Sequence, residues 1–459
     1  MICSLRVVFI ENPRLQMSPA SSVDTVKSRI TAVVRVASGN FLEMYDFMVF
    51  GYYAAGIGRA FFPAKSDYTS LMLSFMTFGT GYLMRPLGAL ILGSYMDRHG
   101  RRKGLLLTFG MMAFGTLAIG CLPGYESIGM LAPILVVLAR LIQGLSAGVE
   151  LGGTSVYLAE IATPGRRGFY TAWQSGSQQV AVMFAAVLGL ILSRTLQPEQ
   201  MAGWGWRVPL LLGSIMIPFV VTMRRSLQET GEFLARKHRP ETREILTTLA
   251  SHWRLVVLGM MLSTTTTVIF YVITAYMPTY GTSVLKLSAT TSMLVTLIVG
   301  FSNFILVPTG GYASDRFGRR PMLATFSIIA LLTAYPALLW LTSAPSFGRL
   351  VTVALWFSMI FGGYNGSMVA LLTEIMPAKI RASGFSLAFA LAAGLFGGFT
   401  PAVSTYLIHV TGNRAMPGLW VSFAALLGLT ATALISTRDQ TAESAAFGSE
   451  GSVNAAPAA

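Results

Sequence analysis

Five ionisable side chains stand inside long apolar stretches of the chain: Glu43, Asp46, Arg85, Arg140 and Glu150. A charge at the centre of a bilayer costs about 2.5–3.5 kcal/mol on insertion scales, so such groups face a protein interior or a watery cavity and mark ion or proton pathways. Glu43 and Asp46 are three residues apart, and on a helix they share a face with Phe47 and Phe50. Two carboxylates that close do not readily both ionise, which suits at least one of them to taking up and releasing a proton. The competing chemistry is structural, with each acid the fixed partner of Arg85 or Arg140. Arg140, Gln143, Ala147 and Glu150 recur at helical spacing and make a second stripe. Proton coupling is therefore expected of Asp46, Glu43, Glu150 and Arg140. Arg85 and Arg140 also carry the planar fork that suits a carboxylate. Around them Gln174, Gln178, Tyr271, Asn303 and Asn365 offer neutral hydrogen bonds, either to a bound anion or from helix to helix. With all five charges present an anion meets net repulsion. Protonating one acid removes it, so proton and anion should favour each other's binding.

The elements that position these groups follow from composition. Of 459 residues, 53% are hydrophobic and 11% charged, far from the quarter or so expected of a soluble chain. Apolar runs of about twenty residues recur from end to end, which predicts an all-α polytopic membrane protein in contact with the lipid bilayer. Twelve spans are expected, at about 31–57, 70–95, 104–123, 129–159, 168–193, 206–223, 253–281, 289–313, 321–343, 349–375, 383–410 and 416–437. They divide the chain into an N-terminal arm (1–30), a six-helix half (31–223), a charged middle loop (224–252), a second six-helix half (253–437) and a tail (438–459) expected to be disordered. All five buried charges fall in the first half. The second offers neutral polar groups and His409. Most of the 33 Lys and Arg lie in the loops on the side of the two termini, so by the positive-inside rule both termini are expected in the cytoplasm. The net charge of +14 is spread through short loops rather than concentrated in a patch, which argues against nucleic acid. Cys3 and Cys121 lie far apart with no ligand spacing, so neither a disulfide framework nor a metal is expected, and no cofactor. The opening Met1–Ile10 is too interrupted for a signal peptide, and Met17 is an alternative start.

One pattern occurs twice. Gly93 to Arg102 reads G-S-Y-M-D-R-H-G-R-R and Gly311 to Arg320 reads G-Y-A-S-D-R-F-G-R-R, so Asp97, Arg98, Gly100 and Arg101 return as Asp315, Arg316, Gly318 and Arg319. The ends of spans four and ten echo each other too, with Glu160 before Arg166–Arg167–Gly168–Phe169 and Glu374 before Arg381 and Gly384–Phe385. Two related six-span halves are the layout of a rocker-type transporter whose site lies between them at the midplane.

The repeated G-x-x-x-D-R-x-G-R-R turn, with Arg140-x-x-Gln143-Gly144, resembles signatures of the major facilitator superfamily. The run Gly39–Asn–Phe–Leu–Glu43–Met–Tyr–Asp46–Phe47, with Arg85–Pro86–Leu–Gly88 and Gly124–Tyr125–Glu126, resembles the metabolite:proton symporter family within it. Val149–Glu150–Leu–Gly–Gly153, Glu160–Ile–Ala–Thr–Pro–Gly165, Arg224–Arg225–Ser–Leu–Gln–Glu229 and Arg236–Lys237–His238–Arg239–Pro240 are similar to the bacterial citrate-proton symporters and their tricarballylate-transporting relatives. The resemblance implies the major facilitator fold in a bacterial inner membrane, a monomer, and secondary uptake of a carboxylate with protons; it implies no enzyme. Symport of 2-oxoglutarate or of an osmolyte is the neighbouring expectation, and a non-transporting sensor on the same fold the distant one. The resemblance also implies a latch at the charged turns. Asp97 would face the start of span eleven near Ser383, and Arg101 would pair with Glu160. The corresponding set is Gly93, Asp97, Arg98, Gly100, Arg101 and Glu160 with Asp315, Arg316, Gly318, Arg319, Glu374 and Arg381.

Overall fold

The computed structural model describes residues 41–99, 101–148, 150–215, 242–377 and 380–435. The described residues are helical throughout their regular structure and contain no strand. In hydrocarbon every backbone N–H and C=O must be satisfied within the protein, and helices do this within a single segment. Among the described residues, eight helices are long and apolar enough to cross a membrane: Leu131–Glu160, Arg167–Thr195, Trp253–Val284, Ala289–Phe317, Arg319–Ser343, Phe347–Ile375, Arg381–Thr411 and Pro417–Leu434. They are spans four, five and seven to twelve. The helices 41–52 and Ala54–Phe61 make span one, Asp67–Leu83 and Arg85–His99 span two, Arg101–Cys121 span three, and 207–215 the described part of span six.

Local chemistry sets the ends. Ser66, Ser288 and Ser346 open spans two, eight and ten as N-caps, their hydroxyls accepting from Thr69, Thr291 and Arg349 N–H. Of the middle loop, Thr242–Ser251 is helical and the stretch before it lies outside the described residues, as do the arm and the tail. The helices run further than the apolar pattern suggests. The sequence reads Gly311–Arg320 as a turn, yet Ala289–Phe317 and Arg319–Ser343 leave only Gly318 between them, at φ 91°. That left-handed geometry is cheap for glycine alone, so one residue reverses the chain and keeps Asp315 and Arg319 in register on adjoining helix ends.

Two seams join the halves. Span five lies along span eight, with Gly168 against Gly311, Gly176 against Pro308 and Gly189 against Met293. Span two lies along span eleven, where Gly79 meets Phe399 and Gly398 meets Tyr82. Within the first half, spans two and four touch backbone to backbone, and a Cβ on Gly144 would fall on the Gly81 carbonyl. Spans seven and eleven each carry a π-helical turn, Val272–Tyr276 and Ala393–Gly397, beside this seam.

The halves touch at both ends of the molecule. At the end bearing the charged turns, Gly168 and Phe169 N–H donate to Asp315 at 2.7 and 2.9 Å, and Gly152 of span four packs on Ser386 of span eleven. At the opposite end Tyr68 stacks on His409, centroids 3.8 Å apart, and Phe75 meets Tyr276 edge-on at 5.9 Å.

Candidate functional site

Between the two closures lies a charged centre with almost no access to solvent. Glu43, Asp46, Arg85 and Arg140 are 3%, 3%, 2% and 0% exposed. The two acids of span one do not share a proton-binding pocket with each other. Glu43 takes Arg85 of span two at 2.9 Å, and Asp46 takes Arg140 of span four at 3.3 Å. Two acids against two arginines balance, where the sequence counted three against two. The third acid is Glu150, whose side chain lies outside the described residues.

The second pair is part of a closed ring. Arg140 Nη1 donates to Gln143 Oε1 at 2.9 Å, Gln143 Nε2 to Thr116 Oγ1 at 3.0 Å, and Thr116 Oγ1 to Asp46 Oδ1 at 2.7 Å. Gln143 reaches span three because Gly115 leaves room: a Cβ there would stand 2.5 Å from Gln143 Cγ.

Aromatic rings fill the remaining space. The Arg85 guanidinium lies 4.5 Å from the centroid of Phe47 and 4.3 Å from that of Tyr82, and Arg140 lies 4.4 Å from Phe47 and 4.5 Å from Phe50. Desolvated contacts of this kind are worth about 2 kcal/mol each. Tyr271 of span seven closes the group from the second half, 5.1 Å from Tyr82. The aromatic faces are thus turned to the protein's own cations. The arginines are not fully used by them: Arg85 Nε and Arg140 Nε and Nη2 are buried without a hydrogen-bond partner. Buried charged donors left unpaired are costly, so an arrangement that keeps them is equipped to receive an acceptor.

The other expected site residues divide. Gln174 of span five accepts from Ser175 Oγ at 2.8 Å and keeps an unpartnered Nε2, with Gln178 buried one turn along. Asn303 of span eight donates to Gln179 at 3.4 Å, and Asn365 of span ten to Thr266 at 2.7 Å. Both asparagines bond helix to helix and leave Oδ1 unpartnered. Sequence reasoning passed over Thr116, Gln179 and Tyr82. A threonine in an apolar helix carries no signal, because its hydroxyl routinely bonds its own backbone, as Thr116 does to Met112 O at 2.9 Å. Gln179 sits next to Gln178 but on the face turned to span eight.

At the charged turns the second copy is the described one. Asp315 of span eight accepts from the Gly168 and Phe169 N–H groups in the first turn of span five, and Arg319 Nη2 bridges it to Glu374 at 2.7 and 3.1 Å. A carboxylate at a helix N-terminus is favoured by the orphan N–H groups and the macrodipole. Arg381 Nε donates to Met376 O at 3.3 Å, and Glu160 ends span four. The side chains of Asp97, Arg98 and Arg101, with Gly93 and Gly100, lie outside the described residues, and with them the expected Asp97–Ser383 and Arg101–Glu160 contacts.

A buried pair of ion pairs in the first helical half, faced by Tyr271 of the second and keeping guanidinium donors free, is the centre expected of a membrane transporter. A family model described as Major Facilitator Superfamily matches residues 36–389 and 282–457, and the chain belongs to that family. The citrate-proton symporter of Salmonella typhi is 57% identical over 407 residues, covering 89% of this chain and 94% of its own. The citrate-proton symporter of Klebsiella pneumoniae is 55% identical over 415 residues, covering 90% and 94%. Among solved structures, the partially occluded inward-open xylose transporter XylE from E. coli superposes with a TM-score of 0.69 at 19% identity, over 87% of this chain and 95% of the other. At that identity the likeness concerns the fold.

Proposed function

We propose that the protein takes up citrate or a related tricarboxylate together with protons across a bacterial cytoplasmic membrane, as a monomer, with both termini and both charged turns on the cytoplasmic side. The six-helix halves 31–223 and 253–437, joined by 224–252 and flanked by the arm and tail, are the two rocking bodies. The observation that carries this reading is the buried Asp46–Arg140 pair at 3.3 Å with two guanidinium nitrogens of Arg140 unpartnered beside it.

With Asp46 ionised the four described charges balance, and an anion would add uncompensated charge in a site of low dielectric. Protonation of Asp46 frees one positive charge and weakens its hold on Arg140. A substrate carboxylate then meets the fork of Arg140, with Arg85 close by across Phe47. By linkage the bound anion strengthens proton binding by the same free energy, so neither crosses well alone. Glu43 stays with Arg85 as the fixed pair that holds span one to span two. Gln174, Gln178, Asn303 and Asn365 supply neutral donors and acceptors toward the rest of the substrate.

Uptake of labelled citrate, tricarballylate and 2-oxoglutarate into vesicles, with and without an imposed pH gradient, tests the proposal. Gradient-driven accumulation of a tricarboxylate is expected, with Asp46→Asn retaining exchange but not accumulation. Accumulation by Asp46→Asn equal to that of the native chain would reject Asp46 as the coupling site. Accumulation of 2-oxoglutarate alone would move the substrate class.

A further inference from the structure

The hydrogen-bond ring around Asp46 has only one arrangement of its protons. Arg140 can only donate, so the Gln143 oxygen must face it and the Gln143 amide N–H must face Thr116. Thr116 therefore accepts from Gln143, and its single proton is left with two acceptors in reach, Asp46 Oδ1 at 2.7 Å and the Met112 carbonyl at 2.9 Å. An ionised Asp46 accepts and cannot donate. A protonated Asp46 must donate, and the second lone pair of Thr116 Oγ1 stands within reach.

We propose that the Thr116 hydroxyl is a two-position rotor that follows the protonation state of Asp46, donating to the carboxylate and, once the acid is protonated, turning to the Met112 carbonyl and accepting from the acid instead. Both states of Asp46 are then satisfied without moving a helix. Thr116 is a positioning residue: it acts through Asp46 and sets the pH at which the coupling group loads. The inference rests on the reading of Asp46 as the coupling site. Other charged or titratable groups bear on the ring. Arg140 faces it from span four. From span one come Glu43, held by Arg85 of span two, and Tyr45, whose hydroxyl donates to Pro209 O at 2.8 Å, while Tyr82 and Tyr271 flank the arginines from spans two and seven. Among the described residues none of these tyrosine hydroxyls hydrogen-bonds Asp46, whereas Thr116 does.

The test is the pH profile of citrate exchange by the purified full-length protein in liposomes, with equal pH on both sides. Substrate ionisation is common to every variant, so differences between profiles report the protein. Thr116→Val keeps the shape but removes the donor to the charged form, so the proton is held more readily and the midpoint should rise by about one pH unit. Thr116→Ser keeps the rotor and should restore the native midpoint. Should Thr116→Val not fold, Thr116→Ala against Thr116→Ser gives the same comparison. A native midpoint in the Val or Ala variant, or a shifted one in Ser, overturns the rotor. Asp46→Asn runs in parallel: a flattened profile there with an unshifted Thr116→Val rejects the rotor alone, whereas an unchanged profile rejects the coupling site and the rotor with it.

Discussion

Arg85 and Arg140 stack on one ring, that of Phe47, at 4.5 and 4.4 Å from its centroid, while each arginine holds a different acid of the same helix. Two like charges are thus held beside each other by a shared quadrupole and two separate counter-ions. For the proposed anion site this means that the donors are in place before any anion arrives, so less ordering is left for binding to do.

Removing the ring should therefore loosen both arginines. Phe47→Leu is expected to raise the KM for citrate about tenfold, the loss of roughly 1–2 kcal/mol of desolvated cation–π contact. Phe47→Tyr, which keeps the ring, should stay within about threefold of the native chain. Equal KM values for the Leu and Tyr variants in vesicle uptake would discard the shared-ring account.

Arg140→Lys keeps the charge but loses the unpartnered Nε and Nη2 edge and the bond to Gln143. A compact ammonium cannot reproduce a bidentate fork, so citrate affinity should fall by at least about tenfold, some 1.5–3 kcal/mol for a charge-assisted bond. Isothermal titration of the purified protein reads this directly. Native affinity in the Lys variant would remove Arg140 from the substrate's contacts.

Asp315→Asn weakens the grip on the span-five N-terminus and leaves Arg319 with Glu374 as its acidic partner, beside its bond to Ser314. Loss of about 1 kcal/mol from the closed state should raise the population open at the charged-turn end about fivefold. Turnover is expected to slow while citrate affinity stays within about twofold. A cysteine placed at Ser386, which packs on Gly152 in the closed seam, should label faster with a membrane-impermeant reagent in a chain whose own Cys3 and Cys121 are replaced. The repeat predicts the same outcome for Asp97→Asn. Unchanged labelling with lost affinity would count against a latch.

Gly144→Val should cost folded protein rather than function. The added Cβ meets the backbone carbonyl of Gly81, which cannot swing aside as a side chain would. Thermal stability in detergent should drop by several degrees, with little material surviving purification. Gly110, where an added Cβ meets nothing within 4 Å, is the control, and Gly110→Ala should be close to native.

The helices and the buried charges were legible in the sequence, because both follow from one-dimensional facts. A run of about twenty apolar residues has few structures open to it in a bilayer, and a charge within such a run must find company. The duplicated turn likewise pointed to two halves. The contact expected of Asp97 with the start of span eleven lies outside the described residues; the second copy's Asp315 accepts instead from Gly168 and Phe169 at the start of span five.

Which acid meets which arginine was not legible. Glu43 and Asp46 are three residues apart and either arginine would satisfy either acid; the crossing of spans two and four at Gly81 and Gly144 decides, by bringing Arg85 to the one and Arg140 to the other. Thr116 and Gln179 were invisible for the same reason, since a neutral polar group acquires meaning only from the atom opposite. The sequence by itself pointed to five buried charges, of which the structure describes and buries four, and to two related halves around them. Only the tertiary structure decided that the charges form two separate pairs about one ring, because pairing depends on distances of a few ångströms between helices that the chain order leaves free.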